Sequence, residues 1–139
     1  MHVRDWKRFL EGRYEKEIAI AQLSQEMADY LGASSRNVHL HQDYVHKAIR
    51  KHGFGPEHFP LIFEVVDYGL ALAESHRPLH LTFLHYAEGP DGEADWYQVS
   101  VKRGFEDRRI FLVTFHRSNR SEVARKGRKF TTIRPGRMV

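Results

Sequence analysis

Apolar residues recur at helical spacing in the first half of the chain and at every second position in the second half. Val3, Trp6 and Leu10 share one helical face and predict a helix near residues 3–16. Ile18 to Ala21 is a short apolar run that suits a helix or a strand. Ser24 offers its hydroxyl to the orphan amides of a short helix through Leu31, and Gly32 supplies a left-handed exit. Val38 and Leu40 mark an extended piece. His41 to His52 is the clearest helix. Tyr44, Val45, Ala48 and Ile49 form its apolar stripe, Lys47, Arg50 and Lys51 lie toward other faces, and Gly53 ends it. Gly55 and Pro56 break the chain, and a second helix is expected over Glu57–Asp67 with Phe59, Ile62, Phe63 and Val66 inward.

Beyond Gly69 the period drops to two. Leu70 and Leu72, then His80 to Tyr86, read as strands, and residues 88–95 as a polar hairpin loop. Along Trp96–Lys102, Tyr97, Val99 and Val101 alternate with Gln98, Ser100 and Lys102. A turn around Gly104 leads to a strand over Ile110–Arg117. Strict alternation puts Phe111, Val113 and Phe115 on its core face, opposite Leu112, Thr114 and His116. Ser121 is placed to cap a short helix ending at Gly127, and Lys129–Ile133 to add a last strand. The order predicts an α+β domain in which N-terminal helices pack on one face of an antiparallel meander of four to five strands. One domain spans residues 1–139: a helical lead-in over 1–34, a core over 35–134 and a tail over 135–139.

Composition narrows the chemistry. The absence of cysteine removes disulfides, thiolate metal sites and cysteine nucleophiles together. No apolar run approaches the ~20 residues of a membrane span, and charges interrupt the N-terminal MHVRDWKRFLEGR, which argues against a secretory signal. The expected setting is the cytoplasm. The net charge of +4 is unevenly spread. Residues 102–139 carry 12 Lys and Arg against three acids, and residues 1–101 carry 10 against 15. Such a basic segment suits a polyanionic partner; a solvated basic tail gives the same count.

Ten histidines supply groups that titrate near neutrality. If the two best strands are neighbours, Ser100, Lys102, Thr114 and His116 share one sheet, with Arg117 at a strand end as a phosphate-holding cation. An ordinary wet sheet face is the plain alternative. His46, Lys47, Lys51 and His52 cluster on the best helix, where His52 also suits a C-terminal cap. His39 and His41 point one way on an extended piece with Asp43 near, but no HExxH spacing, nucleophile elbow or Gly-rich phosphate loop occurs. Two histidines with cations and a hydroxyl suffice for RNA cleavage without metal or cofactor.

The stretch 35–69, SRNVHLHQDYVHKAIRKHGFGPEHFPLIFEVVDYG, resembles the phage-borne barnase–EndoU–colicin–RelE-like nucleases. The likeness lies in an extended V-x-L piece (Val38, Leu40) and a helix with a K…KH pattern (Lys47, Lys51, His52). It continues in YQVSVK over 97–102, FLVTFHRS over 111–118, SEVARKG and the strand at 129–134. IAIAQLSQEMADYLGASS is similar to the lead-in of such domains in Mu-like phage head-region proteins, so the likeness covers residues 18–134. One departure is His41 after Leu40, where relatives more commonly have Leu-Ser. The resemblance implies a barnase/RelE-like ribonuclease fold and metal-independent cleavage. Its matched residues are His52, Lys102, Thr114 and Arg117.

The expected activity is a phage- or toxin-type endoribonuclease that leaves a 2′,3′-cyclic phosphate. His52 is the expected proton-transfer group and His116 the second. Lys102 and Arg117 hold the scissile phosphate, and Thr114 bonds one of its oxygens. Lys47, Lys51, Ser100, Arg103, Arg125, Lys126 and Arg128 are the expected RNA contacts, and an immunity or antitoxin protein is a possible partner. A non-catalytic nucleic-acid-binding or virion-packaging module would use the same basic segment, and a metal hydrolase would use His39 and His41. The nuclease reading requires Lys102, Thr114, Arg117 and His52 to converge on one concave site. Arg117 falls in phase with Phe115, so a strand end or bulge must re-aim it away from the core.

Overall fold

The computed structural model describes residues 17–136 and Phe9. Apart from Phe9, which is fully buried, the helix expected at 3–16 lies outside the described residues. In chain order the elements are β1 (Glu17–Gln22), α1 (Gln25–Leu31), β2 (Asn37–His41), α2 (Gln42–His52), a 3-10 turn (Pro56–His58) and α3 (Leu61–Tyr68). They are followed by β3 (Leu70–Ala73), β4 (His80–Glu88), β5 (Ala94–Arg103), β6 (Ile110–Arg117), α4 (Arg120–Lys129) and β7 (Thr131–Arg134). The sheet has seven strands in the order β1-β2-β6-β5-β4-β3-β7. The α+β class stands. The four- to five-stranded meander does not, and three differences account for it.

The helical lead-in contains a strand. β1 pairs antiparallel with β2, so the Ile18–Ala21 run resolves as extended chain. Ile18 and Ile20 are β-branched, which favours that outcome. Next, β2 lies parallel to β6, with Val38 opposite Ile110 and His39 opposite Phe111, making the sheet mixed. Finally, β7 pairs with β3 rather than extending the β4–β5–β6 meander. The β2–β6 and β3–β7 pairings leave no mark in local periodicity, because each joins segments far apart in sequence.

Local signals do hold. Ser24 caps α1 by accepting from the Met27 amide, and Gly32 leaves it at φ 67°. The expected 57–67 helix is interrupted: Pro60 has no amide proton to continue a helix through it, so the 3-10 turn closes first and α3 starts at Leu61. The buried His58 ring closes that turn by accepting from the Gly55 amide at 2.9 Å. The C-terminal helix is capped by Asn119 rather than Ser121 and runs past Gly127 to Lys129.

The main core lies on the sheet face that carries α1, α2 and α3. Met27 and Leu31, Val45 and Ala48, and Ile62 and Val65 meet Phe83, Val99, Val101 and Phe115 there. The helices are not confined to that face. On the other, Val123 of α4 packs with Leu72, Leu84 and Trp96 in a smaller cluster. Strict alternation fails in β6. Its register against β5 shifts after Ser100–Thr114, so that Val101 pairs with Leu112 and Val113 is the extra residue of a bulge. Ile110, Leu112 and Phe115 are therefore the buried positions, and Val113 is only half-buried. Among the described residues, no helix is long and apolar enough to cross a membrane.

Candidate functional site

α2 continues from β2 without a loop. The His41 ring caps it, its Nδ1 accepting from the Asp43 amide at 3.1 Å. Val45 and Ala48 bury its inner stripe, and Tyr44 reaches the edge of β6. There the Phe115 amide donates to the Tyr44 hydroxyl, which lies 3.3 Å from the Phe115 carbonyl. Burial pushes this phenol up to about 12, so it remains a neutral hydrogen-bonding group. The contact clamps α2 beside the C-terminal half of β6. Gly53 then ends the helix at φ 66°, which leaves His52 in its last turn.

That geometry brings His52 to the end of β6. The His52 and His116 rings lie 5.6 Å apart between centroids. The Arg117 guanidinium donates to the His52 carbonyl at 3.2 Å, satisfying a C-terminal carbonyl of α2. It also lies 4.7 Å from the centre of the Phe54 ring, with Nε 3.8 Å from an Asp95 carboxylate oxygen. Phe54 is fixed from below by Phe115, at 4.5 Å between ring centres. Arg117 is the last residue of its strand and remains exposed, so the strand end resolves the conflict of phase that sequence alone presents.

The two histidines differ in surroundings. Burial, then the His116, Lys51, Lys47 and Arg117 charges, hold His52 below the ordinary imidazole range. His116 Nδ1 lies 2.8 Å from the Arg117 carbonyl. A carbonyl only accepts, so Nδ1 carries the proton and Nε2 is the nitrogen free to exchange one. The site therefore holds a neutral imidazole, a second imidazole of fixed tautomer, and a guanidinium, all half-buried or exposed. Lys47 and Lys51 lie one helical turn apart on the exposed side of α2.

The other expected residues lie elsewhere, so the single concave site does not form. Lys102 pairs with Phe111 on one side and His80 on the other, whereas Arg117 pairs with Tyr97. Five residue steps along β5, from Tyr97 to Lys102, separate the two positions, about 17 Å at ~3.4 Å per residue. Arg103 is farther still, its guanidinium 3.4 Å from the Gly104 carbonyl. Thr114 and Ser100 face each other across β5 and β6 and line a cavity with Lys126 on the sheet's α4 side. Arg125 is tied to Glu122 at 2.8 Å, and Arg128 is exposed on α4. The phosphate-holding role expected of Lys102 and Thr114 beside His52 is thus withdrawn: Lys102 lies toward the other end of β5 from Arg117, and Thr114 faces the cavity under α4. His39 contacts the Arg109 guanidinium at 3.1 Å, and His41 is spent on its cap. Among the described residues, no three histidine, aspartate or glutamate side chains gather as a metal site.

Sequence reasoning missed Phe54 and Asp95, which position Arg117, and the Arg77–His80 rim of the cavity. The phase of His80 and Thr82 against Gln98 and Ser100 was the available signal for that rim. Comparison with family models, curated proteins and solved structures finds no match to this chain.

Proposed function

We propose that the protein is a metal-independent endoribonuclease whose proton-transfer pair is His52 and His116. The observation that carries this reading is the 5.6 Å approach of the two rings beside the Arg117 guanidinium, built from two separate elements. His52, held neutral by burial and its cationic neighbours, takes the proton of the ribose 2′-hydroxyl. The 2′-oxygen attacks phosphorus, and the bond to the 5′-oxygen breaks. His116, entering the step as the imidazolium with Nδ1–H on the Arg117 carbonyl, delivers its Nε2 proton to that leaving oxygen and is left as the neutral Nδ1–H imidazole. Arg117, with Lys47 and Lys51, offsets charge growing on the non-bridging oxygens. The products are a 2′,3′-cyclic phosphate and a free 5′-hydroxyl.

The likeness of residues 18–134 to barnase–EndoU–colicin–RelE-like nucleases supports the same reading, as does the charge of the C-terminal segment. On this reading RNA is the substrate, the protein acts as a phage- or toxin-type hydrolase inside a host cell, and an immunity or antitoxin protein is an expected partner. Purified protein incubated with RNA in EDTA should cut it and leave cyclic phosphate ends. A shift in RNA mobility without cutting would favour the binding or virion-packaging module. Cutting that EDTA abolishes would favour a metal hydrolase.

A further inference from the structure

On the α4 side of the sheet, four strands and one helix enclose a cavity of about 230 Å³. Leu72 of β3, His80 and Thr82 of β4, Gln98 and Ser100 of β5, and Val113 and Thr114 of β6 form its floor. Lys126 and Phe130 form one wall, and Glu74 and Arg77 from the β3–β4 connection form the rim. The β6 bulge makes this floor. By placing an extra residue in the strand, it turns Val113 and Thr114 toward the cavity together, while Leu112 and Phe115 remain in the core.

A sheet face covered by a helix is ordinarily apolar. This one instead buries Gln98 and Ser100, each 7% exposed, in a row of hydroxyls and an amide. Ser100 lies 3.2 Å from the Thr82 hydroxyl and 3.4 Å from the Gln98 amide nitrogen. The Thr114 hydroxyl oxygen is buried with no hydrogen-bond partner among the described residues, an unmet demand that is costly to leave in a folded protein. The Lys126 ammonium reaches down to the Gln98 amide oxygen, and burial lowers its pKa. A buried hydroxyl without a partner, set in a row of buried polar groups that converges with cations on one concavity, marks a ligand site.

We propose that this cavity binds a small phosphate monoester with a hydroxyl-bearing body, a pentose phosphate or a nucleoside monophosphate. Lys126, Arg77 and His80 take the phosphate. Thr82, Ser100, Thr114 and Gln98 take the hydroxyls, and the Phe130 ring covers the apolar side. A volume below the usual ~300–1,000 Å³ of drug-sized pockets limits the ligand to that size. Glu74 disfavours a ligand charged at both ends. The proposal rests on the cavity alone and stands apart from the nuclease reading.

The test is calorimetric titration of the whole protein with inorganic phosphate, ribose 5-phosphate and adenosine 5′-monophosphate at pH 6 and pH 8. Binding should be saturable for at least one of the two esters and tighter for it than for inorganic phosphate. Anion binding draws protons onto His80, which burial and the Arg77 and Lys102 charges keep deprotonated, against the opposing Glu74. Expressed per phosphate dianion, whose own second pKa is about 6, affinity should therefore be higher at pH 6. Tighter ribose 5-phosphate places the sugar in the cavity, and tighter adenosine monophosphate places the base there. Lys126→Met should weaken the ester about 10- to 100-fold, the worth of one charge-assisted hydrogen bond. Arg77→Gln, at an exposed rim position, serves as the second variant should Lys126→Met not fold. His52→Ala should bind as wild type, which separates this site from the nuclease reading. Equal millimolar binding of all three probes, or affinity unchanged in a folded rim or wall variant, overturns the proposal.

Discussion

At the residue scale the candidate site turns on one hydrogen bond. The Arg117 carbonyl fixes the Nδ1 proton of His116, so its chemistry runs through Nε2. On the proposed mechanism, His52→Ala and His116→Ala should each lower turnover ~10²–10⁴-fold with little loss of RNA affinity, read by single-turnover cleavage beside a binding titration. Wild-type turnover in either variant removes that residue from the mechanism. Arg117→Lys separates charge from position. Lysine keeps the charge but loses both the planar stacking on Phe54 and the bond to the His52 carbonyl, so cleavage should remain well below wild type. His52 and Arg117 were legible in the sequence as candidates, because a histidine before a helix-ending glycine and a cation at a strand end are local facts. Their partnership with Phe54 and Asp95 was not, because it depends on how α2 docks against β6.

At the element scale, α2 acts as an electrostatic lever. Lys47 and Lys51 point to solvent, yet their charges help to hold His52 deprotonated. The Lys47→Gln/Lys51→Gln double variant should move the acid limb of the kcat/KM profile to higher pH, since His52 then protonates more readily. An unmoved limb would mean that another group sets it. The β6 bulge is the element sequence reading missed, and the reason is physical. Ile110 to Val113 is continuously apolar, so either phase of alternation finds hydrophobic residues, and only pairing with β5 decides between them. Deleting Val113 forces strict alternation from Phe115 back to Ile110. Leu112 and Ile110 would keep their inward phase, with Thr114 and Leu112 following each other opposite Ser100 and Val101, and only the cavity floor would lose Val113. The expected cost is below the ~2–5 kcal/mol of truncating one core side chain, and denaturant unfolding should report it.

At the scale of the whole molecule, stability should depend on pH through histidines on three different strands or helices. Burial is the leading cause lowering the pKa values of His39, His52 and His80. Each therefore binds a proton more readily in the unfolded chain. Unfolding takes up protons on acidification, so stability rises with pH in this range. The contribution is complete above the ordinary value of 6.5 and is lost as pH falls from there toward the depressed native values. Urea midpoints should fall between pH 7.5 and pH 5, and less so in the His39→Asn/His80→Asn variant. Sheet order was the least legible property of all. Strands β3 to β6 follow one another as local alternation suggests, but β2 meets β6, and β7 meets β3, only through long-range pairing. The parallel β2–β6 contact joins residues 38 and 110 and waits on most of the chain. Synthesis proceeds from the N-terminus, and a domain folds as a unit once its parts have emerged. β1, α1, β2 and α2 can leave the ribosome carrying His52, but the strand that bears His116 follows about 60 residues later, several seconds at ~5–20 residues per second. Throughout that interval the nascent chain holds half of a proton-transfer pair and no edge on which to seat α2. On the proposed chemistry a translating ribosome is thereby shielded from the product it is making. The delay is built into the topology, and it ends only when β6 has cleared the exit tunnel.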